Sequence, residues 1–286
     1  MPVQRNIRLL AWFNFWLEFR LYAPIAILYF SQVTGSYALG MSVFSAARLA
    51  QFLFEVPTGV FSDLIGRKKT MVCGALAGML SLIFYAIGGS HLALLIGAFV
   101  EGLAWALFSG NNEAFLHDTL KQMGKPETYQ EFLGKTTSTH MIALGISAVI
   151  GSLIAAISFQ WTMWLSVIPA LFALFVSLRF VPPQVVTDVD TNAYAHLKTA
   201  FRNIIQNVRL RNLSAASILS FAIGESAWSL RSAFIQLLWP VWALGFAQML
   251  GDASAAIGFY FAGRIIRRFG EFRLLIGGKL FSFAVD

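Results

Sequence analysis

Long apolar runs recur along almost the whole of this 286-residue sequence, and they limit what the chain can fold into. An α-helix needs about 20 apolar residues to cross the roughly 30 Å hydrocarbon layer of a bilayer. A ninth run begins near residue 273, after eight that lie near 9–30, 37–59, 70–89, 92–117, 136–158, 161–181, 212–235 and 243–263. The sequence therefore predicts an all-α polytopic membrane protein with eight full spans and part of a ninth.

The composition argues against a soluble domain. Hydrophobic residues make up 57% of the chain and charged residues only 12%, whereas a typical soluble protein carries about 25% charged residues. Membrane lipid is therefore the expected surrounding. The net charge of +7 does not indicate nucleic-acid binding, because the basic residues lie in short connectors between apolar runs. The single cysteine, Cys73, excludes an internal disulfide.

Basic residues are distributed unevenly between the connectors on the two sides of the predicted membrane. Every second connector lacks lysine and arginine, and the others carry Arg67, Lys68 and Lys69; Lys121, Lys125 and Lys135; Lys198, Arg202, Arg209 and Arg211; and Arg264, Arg267 and Arg268. Because cytoplasmic connectors carry the excess of basic residues, we predict a cytoplasmic N-terminus and a cytoplasmic segment 182–211. The first run, preceded by Arg5 and Arg8, resembles a membrane span rather than a cleavable signal peptide.

One spacing of glycines and charged residues occurs twice, 204 residues apart. The first copy reads Gly59-x3-Asp63-x2-Gly66-Arg67-Lys68-Lys69, and the second reads Gly263-x3-Arg267-x2-Gly270-x2-Arg273. The first runs of the two blocks also match loosely, since Glu18 and Arg20 parallel Glu225 and Arg231. A polar segment that opens with a proline pair separates the blocks. This pattern is typical of a transporter built from duplicated helical units.

The first copy of this spacing, Gly59–Lys69, resembles the signature loop between helices 2 and 3 of the major facilitator superfamily. The preceding "EVPTG" is a common lead-in to that loop, and "SGNNEAFLHDTL" (109–120) resembles the end of helix 4 in many bacterial members. The resemblance implies a protein of two six-helix bundles that moves a small solute by alternating access. The chain would then hold an N-terminal bundle (1–182), a cytoplasmic linker (183–211) and an incomplete C-terminal bundle (212–286), as a piece of a longer protein.

The signature loop has a physical interpretation. Gly59 and Gly66 permit close helix approach and a tight reversal, since neither carries a Cβ. Asp63 precedes the N-terminus of the next helix, where the helix dipole favours an anion. Arg67 is expected to reach Asp63 or a neighbouring helix end, and the resemblance implies that this latch stabilises the outward-facing state. The alternative is that Arg67, Lys68 and Lys69 only hold the loop on the cytoplasmic side.

Charged residues within the predicted spans are candidates for the transport site. A charge near the bilayer centre costs at least about 2.5–3.5 kcal/mol, so each one needs a partner or an aqueous cavity. Because the first and fourth helices of each bundle line the central cavity in this family, the resemblance implicates Glu18, Arg20, Glu101, Asn112, Glu113, Glu225 and Arg231. Two further intramembrane charges, Arg48 and Asp252, occupy equivalent places in the two blocks.

We interpret one of Glu18, Glu113 and Glu225 as a carboxylate that binds and releases a proton during transport, because burial disfavours its charged form. The structural alternative is that Glu18 with Arg20 or Arg231, and Arg48 with Asp252, simply neutralise one another. His140 can titrate near neutral pH, but a lone histidine near a membrane interface is more often structural.

The leading interpretation is a proton-coupled secondary transporter in a bacterial inner membrane, monomeric, without cofactor or metal, that exports a small organic molecule. Aromatic residues near the predicted cavity favour export slightly over uptake by a solute:proton symporter. A membrane-embedded enzyme would need a cluster of nucleophilic or metal-binding residues, which the sequence does not display. A non-transporting half-protein that assembles with a partner is a further alternative.

Overall fold

The computed structural model describes residues 4–183, 202, 204–270, 276 and 277, and no β-strand occurs among them. The helices are α1 (Gln4–Glu18), α2 (Ala26–Thr34), α3 (Tyr37–Ile65), α4 (Arg67–Ile87), α5 (His91–Phe108), α6 (Asn111–Gln122), α7 (Tyr129–Ala155), α8 (Phe159–Leu178), α9 (Val208–Gln236) and α10 (Val241–Phe269). Short 3-10 turns occupy Ala23–Ile25 and Pro126–Thr128. The all-helical prediction is confirmed for this part of the chain.

Six helical stretches of the described residues are long and apolar enough to cross a membrane. They are Tyr37–Ile65, Arg67–Ile87, His91–Gln122, Pro126–Ala155, Phe159–Leu178 and Val208–Gln236. The expected eight full spans are therefore not confirmed, because the first run is interrupted and the α10 stretch is not among the six. The start of the predicted ninth run, near residue 273, lies outside the described residues.

The first apolar run is broken in its middle, which differs from the continuous helix expected over 9–30. α1 ends at Glu18, and helix resumes at the 3-10 turn Ala23–Ile25. Pro24 explains the break, because it has no N–H to bond the Arg20 carbonyl and its ring clashes with the carbonyl four residues earlier. The Arg20 carbonyl instead accepts from the Ala23 N–H at 3.2 Å. Glu18 and Arg20 consequently lie at the discontinuity.

The predicted fourth span, 92–117, is also divided. α5 ends at Phe108 and α6 begins at Asn111, with Gly110 between them at φ +67°. This left-handed conformation suits glycine, which has no Cβ to clash with the backbone. The turn redirects α6 so that Phe115 and Leu116 are buried against α1 and α8 residues, while Glu113 remains exposed.

Two buried clusters hold the helices together near opposite ends of the bundle. One contains Tyr29, Phe30 and Tyr85, near the connectors without lysine or arginine, which we call the neutral end. The other contains Phe13 and Phe180 near the connector with Arg67–Lys69, which we call the basic end. Many large apolar side chains point outward, among them Phe52, Leu64 and Phe175. An outward-facing apolar surface of this kind fits a lipid environment.

The helix bounds repeat with the same offset as the sequence pattern. α3 and α10 are both 29 residues long, and their bounds lie 204 residues apart. The starts of α1 and α9 differ by the same 204 residues. Gly66 after α3 and Gly270 after α10 have φ values of +87° and +79°. The two stretches therefore end in the same way, as the repeated glycine spacing predicts.

Candidate functional site

A cavity of about 360 Å³ opens among the end of α1 and α2, α3, α5, α7, α9 and α10, on the side of the neutral end. We call it the first cavity. Its charged lining brings together six of the residues that the sequence singles out, namely Glu18, Arg20, Arg48, Glu101, Glu225 and Arg231. Aromatic side chains, including Phe30, Phe44, Trp105 and Trp228, form much of the remaining wall. The volume lies at the lower end of the range for small-molecule sites, about 300–1,000 Å³.

Glu18, which is buried, and Arg20, which is partly exposed, form an ion pair at the break after α1. Arg20 Nη2 lies 2.7 Å from Glu18 Oε2, and the guanidinium also stacks over Trp105 with its Cζ 4.3 Å from the ring centre. Glu18 occupies the C-terminal end of α1, where the helix dipole disfavours a carboxylate. Arg20 compensates this charge, as one of the expected pairings proposed.

Glu101 is held by two tyrosines. Tyr22 donates its hydroxyl to Oε1 at 2.9 Å, and Tyr85 donates to Oε2 at 2.7 Å. A carboxylate that accepts a hydrogen bond at each oxygen is fixed in orientation, since charged hydrogen bonds are stronger than neutral ones. Glu101 therefore joins α5 to the break between α1 and Ala23, where Tyr22 lies, and to α4.

A second cavity, of about 300 Å³, lies toward the basic end and is lined by Asn112 and Glu113. Asn112 Oδ1 is buried there without a hydrogen-bond partner among the described residues. Three side chains line both cavities, namely Glu18, Trp105 and His140. These three residues form a partition between the cavities. Glu113 therefore lies in a different chamber from Glu101 and Glu225, although the sequence grouped them together.

Arg48 and Glu225 connect α3 with α9. Arg48 Nε donates to Glu225 Oε1 at 3.0 Å, and Nη2 donates to the same oxygen. The expected pairing of Arg48 with Asp252 is therefore wrong. Arg48 sits on the cavity-facing side of α3, whereas Asp252 packs against Gly145 of α7, with its Cβ 3.5 Å from the position a glycine Cβ would take.

The two remaining charges of the second block have other surroundings. Arg231 lines the first cavity and lies over Trp228, with its Cζ 5.5 Å from the ring centre. Asp252 is buried, and its Oδ2 has no hydrogen-bond partner among the described residues. The expected ion pair of Glu18 with Arg231 is not formed, because Glu18 pairs with Arg20 instead.

At the basic end, Arg67 pairs with Asp118 of α6 rather than with Asp63. Arg67 Nε donates to Asp118 Oδ2 at 2.6 Å, while Asp63 is exposed. A third cavity, of about 480 Å³, is lined by Asp63, Arg67, Lys68, Lys69 and Asp118. Within the described ranges no ion pair involves Lys68 or Lys69. Arg67 therefore reaches a neighbouring helix, as one form of the expected latch requires.

The two sequence segments that resemble the superfamily pack against each other. Ser109 donates to Glu55 Oε1 at 2.5 Å, Ser62 donates to Asn111 Oδ1 at 2.5 Å, and Thr58 donates to the Ala106 carbonyl at 3.1 Å. These bonds fasten the end of α3 to α5 and α6. They explain why polar side chains recur at one face of otherwise apolar helices.

The two loop glycines differ in their roles. Gly66 adopts the positive φ that the reversal requires, as expected. Gly59 does not mediate close helix approach, because no atom lies within 4 Å of the position its Cβ would take. In the second copy, the corresponding position of Gly263 is 3.5 Å from Glu131 Cα. Arg267 lies in α10, and Arg273 lies outside the described residues.

Close approach occurs instead on α7. A Cβ on Gly151 would overlap the backbone of Leu21, and one on Gly245 would overlap the Ala148 carbonyl. Ser152 donates to the Trp242 carbonyl at 2.9 Å, and Ser138 donates to that of Ala256 at 2.9 Å. Small residues on α7 thus let neighbouring backbone approach closely, as small residues do between membrane helices.

Sequence reasoning missed several residues of this site. Asp118 lies within the quoted segment 109–120, but nothing local marks it as the partner of Arg67. Tyr22 and Tyr85 donate to Glu101, and their apolar surroundings in the sequence conceal this. His140 was set aside, although it lies on the partition. In the sequence, Pro24 is the residue that could have predicted the break between α1 and Ala23. Within the described part, no group of three histidine, cysteine or carboxylate residues could hold a metal ion.

Comparisons with known proteins agree with this architecture. An uncharacterized MFS-type transporter of Methanocaldococcus jannaschii is 30% identical over 125 residues, which is 43% of this chain and 31% of that protein. An uncharacterized transporter of Buchnera aphidicola is 25% identical over 168 residues, 56% of this chain and 40% of the relative. The uncharacterized transporter YebQ of Escherichia coli is 24% identical over 147 residues, 50% of this chain and 30% of the relative.

In each case the matched region covers less than half of the relative's length. The family model of the Major Facilitator Superfamily, in contrast, matches residues 8–285 of this chain. The transporter names of the relatives and the helical fold both agree with a membrane transporter, and neither indicates an enzyme. This chain belongs to the Major Facilitator Superfamily of membrane transporters.

Proposed function

We propose that this chain is part of a secondary transporter that exports a small amphipathic organic solute in exchange for protons, by alternating access. The observation that carries the proposal is the position of Glu18, which lines both the first and the second cavity. A carboxylate on the partition between two chambers is reached from either side as the chambers open in turn. A single site that exchanges protons across the membrane must be accessible from each side in turn.

The surroundings of Glu18 support a coupling role. Its side chain is only 4% exposed, and a carboxylate with so little water depends on its neighbours for stability in the charged form. Arg20 supplies that stabilisation through the 2.7 Å ion pair. Because Glu18 itself lines the first cavity, a solute whose polar end is cationic stabilises the charged carboxylate and disfavours its protonation. Solute and proton thereby compete for one carboxylate, as an exchange of solute for protons requires.

The lining of the first cavity supports the proposed class of solute. Three carboxylates and three guanidinium groups line it, so the formal charge of the wall is balanced. Phe30, Phe44 and Trp228 add apolar and aromatic surface. Such a wall suits a small molecule with an apolar or aromatic body and a polar end. Few uncharged polar side chains are available for a sugar-like ligand.

Proteoliposomes with an imposed pH gradient test the proposal. Trapped pyranine reports proton movement, and the solute probes are ethidium, an aromatic cation, and fluorescein, an aromatic anion. Protons moving down the gradient are expected to drive one probe in the opposite direction, which corresponds to export in the cell. Glu18→Gln, which keeps the size of the side chain but cannot ionise, is expected to abolish the response to the gradient.

Glu113→Gln and Glu225→Gln are the matched variants, since these acids each line only one cavity. They are expected to retain coupling, at a reduced rate for Glu225→Gln because of its pair with Arg48. Solute and proton moving in the same direction would contradict export and favour the symporter. A Glu18→Gln variant that responds like wild type would refute Glu18 as the coupling group.

The arrangement of the whole protein is proposed on the same basis. We place the chain in a bacterial inner membrane as a monomer, with the basic end in the cytoplasm. Residues 1–182 form the N-terminal bundle, 183–211 the linker and 212–286 part of a second bundle. Tagging the N-terminus and the connector 88–90 with cysteine, and labelling intact cells with a thiol reagent that does not cross membranes, tests the orientation. Labelling at the N-terminus alone would contradict it.

A further inference from the structure

His140 is the basic residue of α7 that lies on the partition. It lines both cavities, and its Nε2 lies 3.7 Å from Glu18 Oε2. We propose that His140 is a second proton-binding group of the coupling site and shares one transported proton with Glu18. This inference rests on the proposed function and adds a residue to it. The chemistry required is one imidazole nitrogen beside one carboxylate oxygen.

The two side chains differ in their access to water. The Glu18 side chain is 4% exposed, whereas that of His140 is 33% exposed. A proton that arrives from water in either cavity therefore meets His140 before Glu18. Imidazole is suited to this step because its ordinary charge change lies near neutral pH. His140 accordingly acts as the entry point and Glu18 as the buried acceptor.

Arg20 and His140 approach the same atom of Glu18. Arg20 Nη2 is 2.7 Å from Oε2, and His140 Nε2 is 3.7 Å from it. With His140 neutral, the three side chains carry one negative and one positive charge, so their sum is zero. When a proton from water binds Nε2 the sum becomes +1, and transfer to Oε2 restores the neutral imidazole and leaves a carboxyl beside Arg20. No bond other than those to the proton changes.

Other charged groups also line the cavities that His140 lines: α3 presents Arg48, and α9 presents Glu225 and Arg231, to the first cavity. α6 presents Glu113 across the second cavity, and α10 presents Asp252 at Gly145, five residues further along α7. α10 also contributes the neutral Gln248 to the first cavity. In the described part of the chain, Glu18 is the acid within ion-pair distance of His140. Proton uptake by His140 is therefore expected to respond mainly to Glu18 and Arg20.

The direct test follows the histidine rings by nitrogen NMR. The full chain is labelled with ¹⁵N-histidine in lipid nanodiscs and titrated from about pH 5 to pH 9, the range in which imidazole changes charge. His140→Gln, or His140→Asn if the first does not fold, identifies the resonance. In Glu18→Gln the His140 midpoint is expected to move by about one pH unit or more, since the partner charge is removed. His91, bonded to Ser42 outside both cavities, is expected to keep its midpoint.

An unchanged His140 midpoint in Glu18→Gln would overturn the inference, because groups that share a proton must affect each other's titration. Ethidium transport in proteoliposomes separates this failure from failure of the proposed function. If Glu18→Gln retains the response to a pH gradient, the proposed function fails. If Glu18→Gln loses that response while His140→Gln keeps the wild-type pH profile, the His140 inference alone fails. His91→Gln is the matched control and is expected to keep the wild-type profile.

Discussion

The carbonyl of Leu21 lies against Gly151 of α7, with no room for a methyl group between them. Leu21 belongs to the interruption between α1 and α2, and its carbonyl has lost the regular helical environment because Pro24 prevents continuation of the helix. The glycine lets α7 approach this irregular backbone directly. Irregular backbone at membrane depth is tolerated where protein covers it, and Gly151 provides part of that cover.

We therefore expect Gly151→Ala to destabilise the protein. The added methyl overlaps the Leu21 backbone, and overpacking of this kind costs about 1–3 kcal/mol. Thermal unfolding in detergent measures the effect as a lowered Tm. Gly59→Ala is the control, since no atom lies within 4 Å of its Cβ position and alanine favours a helix by about 1 kcal/mol. If Gly151→Ala and wild type have the same Tm, the backbones of Gly151 and Leu21 are farther apart than described here.

The Arg67–Asp118 pair predicts an energetic coupling between the signature loop and α6. The bond is 2.6 Å long and Asp118 is buried, and a hydrogen bond to a charged group contributes about 1.5–3 kcal/mol. A double-mutant cycle with Arg67→Gln and Asp118→Asn, followed by unfolding in detergent, is expected to give a coupling of that size. The same cycle with Asp63→Asn in place of Asp118→Asn is expected to give a value near zero. The opposite ranking would identify Asp63 as the partner.

The carboxylate of Glu101 predicts a role for two tyrosine hydroxyls. Tyr22→Phe and Tyr85→Phe each remove one donor and leave one half-buried oxygen of Glu101 without its hydrogen bond. Each is expected to lower the free energy of unfolding by about 1–3 kcal/mol. Tyr37→Phe is the matched control, because Tyr37 is exposed at the start of α3. If Tyr37→Phe lowers the stability as much as the two variants do, the hydrogen bonds to Glu101 do not stabilise the protein.

The pairing of Arg48 with Glu225 predicts which residues can be cross-linked. In a Cys73→Ser background, Arg48→Cys with Glu225→Cys is expected to form a product with a short bifunctional thiol reagent, because the two side chains meet across α3 and α9. Arg48→Cys with Asp252→Cys is expected to form none, since Asp252 faces Gly145 of α7. Gel mobility before and after proteolysis between the helices reads out the product. Cross-linking of the second pair alone would restore the pairing expected from the sequence.

Sequence patterns predicted the features that depend on local composition. Apolar runs located the helices, and the positive φ of Gly66 and Gly270 follows from glycines that no other residue replaces easily. Small residues also recur in the sequence of α7, and such residues favour close packing of membrane helices, which Gly151 and Ser152 display.

Features that join distant parts of the chain were not predictable in the same way. Arg67 has Asp63 four residues away, yet it bonds Asp118, which is 51 residues away in sequence. No periodicity indicates that choice, because it depends on how α6 turns at Gly110. His140 carries no local signal either, and its position on the partition follows from where α1 ends. That end was foreseeable, since Pro24 cannot continue a helix.

The matched starts of α1 and α9 have a mechanical consequence. α9 is continuous through residue 228, where tryptophan stands at the place equivalent to Pro24. Two segments with matched starts thus differ in continuity, since one is interrupted and the other is a single helix. We therefore expect bending to concentrate in the interrupted segment, next to its ionisable side chains, while the ion pair of Glu225 with Arg48 joins the continuous helix to α3.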